Sequence, residues 1–377
     1  MAEVMMNKVL YIGGFEMPDG NAAAQRVLGV AKLMRECGCS VQFLGLSRRK
    51  SGKGEIDGFI YENLPYPQSF FSWLSYLTGG SAFVKAIETI SPDIVVFYNH
   101  PALAIEKLNK WCRLHNVKTL ADITEWYEPQ GNPVFKIIKG YDTKRRMRYS
   151  HFQLDGLISI SRYLDDYYAS RTDIPQLLLP PLVDLEQTKW GQVYEECPLI
   201  KIVYAGSPGS TKDRLDLIIN ALSDAKTNSE FVFRVIGITE EQYRTTWHQN
   251  KIPSFVDFKG RISHEEVIRE LLGADFQLFL RPDNLSNRAG FPTKFVETVA
   301  SHTLPITNIN ANLTDYFDNG VNGFVINSLE LADVKEVLTK VLSLSKDEIV
   351  DIRSKMDNSI FDYRRFIPEF KSFISKI

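Results

Sequence analysis

The sequence lacks most of the features that mark metal-binding, secreted or membrane-spanning proteins. Its four cysteines include no Cys-x-x-Cys pair and have no histidine cluster beside them, so a zinc site is not expected. Scattered free thiols fit a reducing cytoplasm. The start of the chain lacks the basic region of a signal peptide, and no apolar run is long enough to span a bilayer.

Charge and cofactor motifs are sparse as well. A net charge of −2 gives no reason to expect non-specific nucleic-acid binding. The first strand is not followed by a Gly-x-Gly-x-x-Gly fingerprint, which disfavours a nicotinamide-dependent enzyme. What remains is a chain of 377 residues with 44% hydrophobic and 24% charged residues. This composition is typical of a soluble globular protein, and the length predicts two α/β domains.

Residues 274–300 predict a strand, a polar loop and a helix. Ala274–Arg281 is mostly apolar, as in a buried parallel strand, and Pro292 suits the first turn of a helix. A loop that leads from the carboxyl end of a strand into a helix N-terminus is where an open α/β sheet binds anions. The residues expected near that point are Arg281, Arg288, Gly290, Phe291, Pro292, Thr293, Lys294 and Glu297.

This stretch resembles the signature of the retaining glycosyltransferases of family 4. That family usually shows two glutamates separated by seven residues, with Gly-Phe/Leu-Pro between them. Here Gly290-Phe291-Pro292 is present and Glu297 matches the second glutamate, whereas Ala289 stands in place of the first. The form Ala-Gly-Phe-Pro-Thr-Lys-Phe-Val-Glu is similar to a branch found among polysaccharide-assembly transferases. The alternative is an ordinary α/β connection that carries a surface Lys294–Glu297 pair.

The resemblance extends to two further loops. Gly13 and Gly14 follow the first strand, in a loop that the family places near the transferred sugar together with an arginine such as Arg26. In the second half, a strand that ends at Gly206 leads to Lys212, which matches the lysine of a basic pair that holds the donor diphosphate. Ser207 replaces the arginine of that pair, so Arg281 or Arg288 is expected to supply the missing charge.

Two carboxylates follow a predicted strand of the first half. Asp122 and Glu125 lie at the end of Lys118–Ile123, where side chains face the ligand in this architecture. A carboxylate there could orient an acceptor hydroxyl or stabilise positive charge on the sugar, so both are candidate catalytic residues. Alternatively, Asp122 caps the following turn.

Two other segments of the first half bear on an acceptor. Ser69–Thr78 is aromatic and almost uncharged, as in an interfacial helix that touches a lipid acceptor or a membrane. Because the stretch has no basic face, a helix packed inside the N-terminal domain is the favoured interpretation. Tyr141–Arg148 is basic and could meet anionic lipid or a diphosphate-linked acceptor, although a solvated helix face is the simpler interpretation.

The resemblance implies the GT-B fold, in which two Rossmann-like α/β domains face each other across a cleft and a C-terminal helix crosses back to the first domain. Residues 1–190 are then the acceptor-side domain and residues 199–357 the nucleotide-sugar-binding domain. Residues 358–377 form the crossover helix.

The function implied is that of a hexosyltransferase-type glycosyltransferase. It would move a sugar, with retention, from a nucleoside diphosphate sugar to a glycan or lipid-linked acceptor in cell-surface polysaccharide synthesis. No cofactor and no metal are expected, since the chain has no Asp-x-Asp pair. The expected location is the cytoplasm, with peripheral contact at the inner face of the membrane. Two alternatives stay open: a sugar-nucleotide epimerase or hydrolase on the same fold, and a catalytically weak donor-binding subunit of a partner transferase.

Overall fold

The computed structural model of the chain describes residues 7–18, 21–49, 51–128, 131–191, 197–206, 208, 213–225, 229–249, 251–309 and 312–377. It divides into two compact units. The first consists of Met1–Leu182, Ala289–Phe291 and Tyr363–Ile377, and the second of Val183–Arg288 and Pro292–Asp362. Most of the tract between residues 190 and 199, which the sequence suggested as a linker, lies outside the described residues.

The strands and helices alternate along most of the chain. The strands are β1 (Lys8–Gly13), β2 (Ser40–Ser47), β3 (Gly52–Ile56), β4 (Phe59–Pro65), β5 (Ile94–Tyr98), β6 (Lys118–Ile123), β7 (Gly156–Ser159), β8 (Gln176–Leu178), β9 (Ile200–Ala205), β10 (Phe231–Ile236), β11 (Val256–Gly260), β12 (Phe276–Phe279), β13 (Leu304–Thr307) and β14 (Phe324–Val325). The α-helices are α1 (Ala22–Glu36), α2 (Phe70–Leu77), α3 (Ser81–Ile90), α4 (Ala102–Leu114), α5 (Pro133–Arg145), α6 (Arg162–Ala169), α7 (Leu215–Asp224), α8 (Glu240–Trp247), α9 (His264–Leu272), α10 (Leu285–Ala289), α11 (Thr293–Ala300), α12 (Leu331–Leu342), α13 (Lys346–Ser354) and α14 (Ile367–Ile374).

The first unit is built on a sheet in which the described strands follow the order β3-β4-β2-β1-β5-β6-β7-β8. All neighbours are parallel except β3 and β4, which form an antiparallel pair at one edge. Every residue of β5, Ile-Val-Val-Phe-Tyr, is buried, as expected for a parallel strand covered on both faces. Gly13, at the end of β1, lies so close to the Tyr98 carbonyl of β5 that a Cβ there would overlap it.

The C-terminal segment belongs to this first unit, as the sequence predicted. Phe370 and Phe373 of α14 are buried in the same hydrophobic core as Val27 and Val30 of α1. The last helix therefore completes the core of the domain that begins the chain.

The second unit has a parallel sheet whose described strands follow the order β11-β10-β9-β12-β13-β14. Because β9 and β12 are parallel neighbours, their carboxyl ends lie at the same edge of the sheet. All four residues of β12 are buried, which agrees with the prediction of a buried parallel strand. Both units are thus Rossmann-like α/β sheets, as predicted.

Local details around β12 differ from the sequence prediction. The polar loop after β12 contains the short helix α10, because the Asn284 side chain accepts a hydrogen bond from the Asn287 amide. Helix α11 begins at Thr293, with Pro292 at the N-cap instead of in the first turn. Ser301, which follows the last residue of α11, is buried.

Candidate functional site

Lys294 lies at the centre of a polar cluster beside the carboxyl end of β9. Its Nζ is 2.6 Å from Asp213 Oδ2 and 3.1 Å from the hydroxyl of Tyr204. The Tyr204 hydroxyl in turn donates to Asp213 Oδ2 at 2.7 Å. The Lys294 ammonium also lies 4.2 Å from the centre of the Tyr204 ring, within cation–π range. Three side chains from β9, the segment before α7 and α11 therefore converge.

Burial governs the electrostatics of this cluster. It lowers the pKa of Lys294 below its ordinary value, and the Asp213 carboxylate opposes that shift by favouring the charged ammonium. Burial, followed by the charge of Asp213, raises the pKa of the Tyr204 hydroxyl, which therefore remains protonated as a hydrogen-bond donor. Lys294 is thus a desolvated cation held by one carboxylate.

Arg281, directly after β12, brings a second cation to this edge. Its backbone is fixed by two hydrogen bonds of 2.8 Å with the Asn308 side chain. Burial lowers the pKa of the Arg281 guanidinium, while the charge of Asp213 favours its protonated form. Its Nη1 is buried and has no hydrogen-bond partner among the described residues. An inward-facing donor of this kind can bind an anion oxygen.

Arg288, the other candidate for the missing positive charge, is engaged elsewhere. Its guanidinium donates two hydrogen bonds, of 2.6 and 2.7 Å, to the carboxylate of Asp283. Both side chains are more than half exposed. Of the two arginines, the structure brings Arg281 to Lys294 and Asp213.

Glu297 lies one turn after Lys294 on α11 but does not pair with it. Its Oε1 is 3.0 Å from Nε2 of His264, the first residue of α9. The Lys294 ammonium is directed to Asp213 instead. The alternative of a simple surface Lys294–Glu297 pair is therefore wrong, because each side chain has a different partner.

Two glycines allow the backbone to approach this cluster. A Cβ on Gly206 would lie 2.5 Å from both Cε and Nζ of Lys294. Gly237 has φ +107°, and a Cβ there would overlap the Gly206 carbonyl. Because only glycine fits at either position, the loop after β9 can lie directly against the lysine.

Other predicted site residues are distributed differently. Lys212 and Ser207 lie outside the described residues. Thr293 is exposed at the start of α11, after the N-cap Pro292. Gly290 and Phe291 are grouped with the first unit, as is the buried Ala289.

The carboxylate of Asp122 in the first unit is fully buried. Its two oxygens accept hydrogen bonds from Arg26 Nη2 at 3.0 Å and from the Tyr11 hydroxyl at 2.7 Å. Arg26 lies in α1 and is therefore not a loop residue. Its guanidinium also donates hydrogen bonds to the carbonyls of Leu179 and Pro180. Burial disfavours the charged Arg26 guanidinium, but Asp122 outweighs this effect and raises the pKa of Arg26. The expectation that Asp122 faces a ligand does not fit this geometry, which is that of a structural ion pair.

Glu125, by contrast, is exposed in the loop after β6. The preceding Thr124 is fixed by hydrogen bonds from its Oγ1 to the Tyr98 hydroxyl and from Asn99 Nδ2, at 3.2 and 2.5 Å. Gly14, also exposed, follows β1. Since β1, β5 and β6 are parallel neighbours, Gly14 and Glu125 lie at the same edge of the first sheet.

Sequence reasoning missed Tyr204, Asp213 and His264 as site residues. Asp213 is 81 positions from Lys294 along the chain, and Glu297 is 33 from His264. No spacing rule connects such residues. The available signal was that Tyr204 lies near the end of a predicted strand and that Asp213 and His264 begin predicted helices, as many other polar residues do.

In the described part of the chain, no group of three or more His, Cys, Asp and Glu side chains is arranged to hold a metal ion. Nor does that part contain a helix of sufficient length and apolarity to cross a membrane.

Comparison with known proteins places this site inside a recognised domain. Residues 200–359, which include Tyr204, Asp213, Arg281, Lys294 and Glu297, match the family described as Glycosyl transferases group 1. No curated protein matches the chain.

Solved structures match nearly the whole chain. Anabaena Alr3699/HepE in complex with UDP and glucose has a TM-score of 0.70 and 12% identity, over 98% of this chain and 100% of the other. Sucrose-phosphate synthase (tll1590) from Thermosynechococcus elongatus has a TM-score of 0.73 and 11% identity, over 98% of both chains. The lipopolysaccharide outer core galactosyltransferase WaaB has a TM-score of 0.67 and 15% identity, over 98% of this chain and 100% of the other.

At these identities the structural likeness shows the fold, and it confirms the predicted GT-B architecture of two Rossmann-like domains. The family match adds the class of activity for the second unit. With a glycosyl transferases group 1 domain on a GT-B fold, this protein is a glycosyltransferase.

Proposed function

We propose that the protein is a retaining, family 4-type hexosyltransferase. It transfers a sugar from a nucleoside diphosphate sugar to a glycan or lipid-linked acceptor in cell-surface polysaccharide synthesis. The observation that supports the donor assignment is the pair of largely buried cations, Lys294 and Arg281, at the carboxyl edge of the second sheet. Similar folds have been solved with UDP and glucose and with UDP-glucose, and one is a galactosyltransferase, which supports this class of donor.

Lys294 and Arg281 each retain an N–H group that can donate a hydrogen bond to a diphosphate. An ammonium carries three N–H donors. Lys294 directs two of them to Asp213 and Tyr204, which leaves one for a phosphate oxygen. The unpartnered Nη1 of Arg281 supplies another. In the proposed reaction these groups, with Lys212 and the backbone amide of Thr293, stabilise the negative charge that develops on the departing diphosphate. No metal or cofactor takes part.

Glu297 is proposed to bind the ribose of the donor. A carboxylate can accept hydrogen bonds from two adjacent hydroxyls, and His264 holds this one in position at 3.0 Å. On the acceptor side, Glu125 is the proposed catalytic carboxylate because it is exposed at the edge of the first sheet. Asp122 keeps a supporting role, through the buried pair with Arg26 that joins β6 to α1.

The test of the donor site is calorimetric titration of UDP into wild type and Glu297→Gln. Charge-assisted hydrogen bonds contribute about 1.5–3 kcal/mol each, so the substitution should weaken binding by about one to two orders of magnitude. Glu265→Gln is the matched control, since Glu265 is exposed on α9 and pairs only with solvent-exposed Arg269 within its own helix. Equal affinities in all three proteins would refute the assignment of Glu297.

A panel of UDP, GDP, ADP and CMP identifies the base of the donor. We expect UDP to give the largest thermal stabilisation, since a ligand at a hundred times its Kd stabilises a fold by about 2.7 kcal/mol. A larger shift with GDP or ADP would keep the donor class and change the base, whereas a larger shift with CMP would contradict a nucleoside diphosphate donor.

A second candidate is a catalytically weak donor-binding subunit. The observation that favours it is Ala289, which is buried and offers no carboxylate where the family has its first glutamate. Donor turnover measured with and without a crude lipid-linked acceptor separates the functions. A transferase releases nucleotide only with acceptor, a hydrolase or epimerase turns over the donor without it, and a binding subunit does neither.

A further inference from the structure

Helix α2 in the first unit exposes a group of large apolar side chains. None of its residues is buried, and Phe70 and Phe71 are 75% and 78% exposed. Leu74 and Trp73 add further exposed apolar area. The sequence favoured a packed helix for this stretch, which holds for Tyr76, whose ring contacts Phe83 and His100, but not for the exposed side chains. Large aromatic side chains grouped on a surface mark a place where a partner or a lipid is bound.

Helix α5 exposes apolar and basic side chains together. Ile137 is 72% exposed, and the other apolar residues exposed on α5 are Phe135, Ile138 and Tyr141. Exposed basic residues accompany them, namely Lys136 and Lys144 on α5 and Arg148 directly after it. The one acidic residue between 133 and 150, Asp142, is buried. The exposed charged side chains of residues 133–150 are therefore all basic, in a chain whose net charge is −2.

These two helices flank the start of α4. The ring of Tyr76 in α2 lies 5.3 Å from that of His100, just before α4. On the other side, Asp142 of α5 accepts a 2.8 Å hydrogen bond from the amide of Ala102. Leu103, next to Ala102 at the start of α4, is exposed as well. We name the exposed residues of α2 and α5, with Leu103 and Arg148, the basic apolar surface.

We propose that the basic apolar surface docks the protein on an anionic lipid bilayer. Aromatic and aliphatic side chains enter the headgroup region, while lysines and arginines around them meet anionic lipid. Charge decides against a second copy as the occupant, because two such surfaces face to face would bring like charges together without acidic partners. The proposal extends the proposed function, since a lipid-linked acceptor is presented at a membrane surface.

The experiment is flotation of the full chain with vesicles of phosphatidylcholine, with and without phosphatidylglycerol, in the absence of nucleotide. Wild type should float with the anionic vesicles, and added salt should release it, because electrostatic attraction to the surface is screened. Ile137→Ser should weaken the partition constant by about tenfold, as a buried aliphatic side chain contributes at least that factor. Leu114→Ser is its matched control, since Leu114 is 74% exposed at the far end of α4.

Charge variants test the other half of the surface. Lys136→Gln and Lys144→Gln should each weaken binding to anionic vesicles about fivefold, which corresponds to about 1 kcal/mol per basic residue. Lys110→Gln, exposed near the far end of α4, should leave the partition constant unchanged.

Three outcomes would overturn the docking proposal. They are absence of wild-type binding to anionic vesicles, equal effects of the surface and control variants, and a dimer in sedimentation velocity that Ile137→Ser dissolves. UDP titration into wild type keeps the two proposals apart. Absent vesicle binding of wild type with normal UDP binding would overturn the docking proposal alone, whereas absent UDP binding with normal vesicle binding would overturn the donor assignment alone.

Discussion

At the scale of single residues, the candidate donor site depends on a buried ion pair. The side chains of Lys294 and Asp213 are mostly buried, and their charged atoms are 2.6 Å apart. Each charge is tolerated in this environment because of the other, since an unpaired buried charge is costly. The pair therefore holds a lysine in a desolvated position, where its remaining donor interacts strongly with an anion.

Asp213→Asn should expose this dependence. Removal of the carboxylate leaves the ammonium buried without a counter-charge, so the free energy of unfolding should fall by about 3 kcal/mol. Adding Lys294→Met should recover part of that loss. Urea unfolding provides the measurement, and Asp351→Asn is the control because its pair with Lys355 is more than half exposed on both sides. An exposed pair contributes less than about 1 kcal/mol, so similar losses in the two single variants would contradict the argument.

Glu125→Gln tests the acceptor side. The substitution keeps the size of the side chain and removes its charge, so turnover should fall while UDP affinity stays nearly unaltered. The matched control is Glu128→Gln, since Glu128 is exposed in the same loop. Steady-state kinetics and calorimetry on both variants give the two quantities. Normal turnover in Glu125→Gln would remove this residue from the catalytic site.

At the scale of elements, two phenylalanine-rich helices of the first unit have opposite environments. Phe370 of α14 is fully buried against the core that includes α1, whereas Phe71 of α2 is 78% exposed. The local sequences give no reason for this difference, because both helices are short, apolar and aromatic. The neighbouring elements of the fold decide which helix is covered.

Phe370→Ala should destabilise the first unit by about 3–5 kcal/mol, because it removes a buried aromatic ring and leaves a cavity. Phe71→Ala, which removes an identical side chain from the surface, should change stability by no more than about 0.5 kcal/mol. Amide hydrogen exchange of α1 reports the stability of this unit directly. Comparable exchange in the two variants would show that α14 is not needed for the core.

At the scale of the whole molecule, the two units should differ in their response to acid. Burial, aided by the nearby charge of Arg146, lowers the pKa of His100 to about 3 and that of His151 well below its ordinary value. Both histidines lie in the first unit. Their pKa values are lower in the folded than in the unfolded chain. Their contribution is therefore complete above about pH 6.5 and is lost progressively as the pH falls from there towards the folded-state values.

Urea unfolding at pH 7 and pH 5 measures this effect. Each buried histidine should reduce the free energy of unfolding by up to about 1.4 kcal/mol per pH unit in this range. The pH-dependent loss should be smaller in His100→Gln and in His151→Gln, whatever their stability at pH 7. His248→Gln, at an exposed position of the second unit, should keep the wild-type dependence. An unchanged pH dependence in both buried variants would contradict the assignment.

Much of the fold was predictable because its strands are apolar runs of the right length between turn residues. The buried strands β1, β5, β6 and β12 are of this kind. The edge strand β3, Gly-Lys-Gly-Glu-Ile, was not recognised, because a polar strand is defined by its pairing with β4 and not by its own composition. The path of α14 back to the first unit came from the family resemblance.

The sequence by itself determined the α/β class, the β12–α11 stretch and the presence of Arg281, Lys294 and Glu297 near one strand end, since these depend on local periodicity and helix-start signals. Only the tertiary structure decided their partners. Asp213 and Tyr204 meet Lys294 because parallel strands bring their carboxyl ends to one edge, whatever the distance along the chain. In the same way, Asp122 became the buried partner of Arg26 and Glu125 remained exposed three residues later, because burial is decided by what packs against a residue.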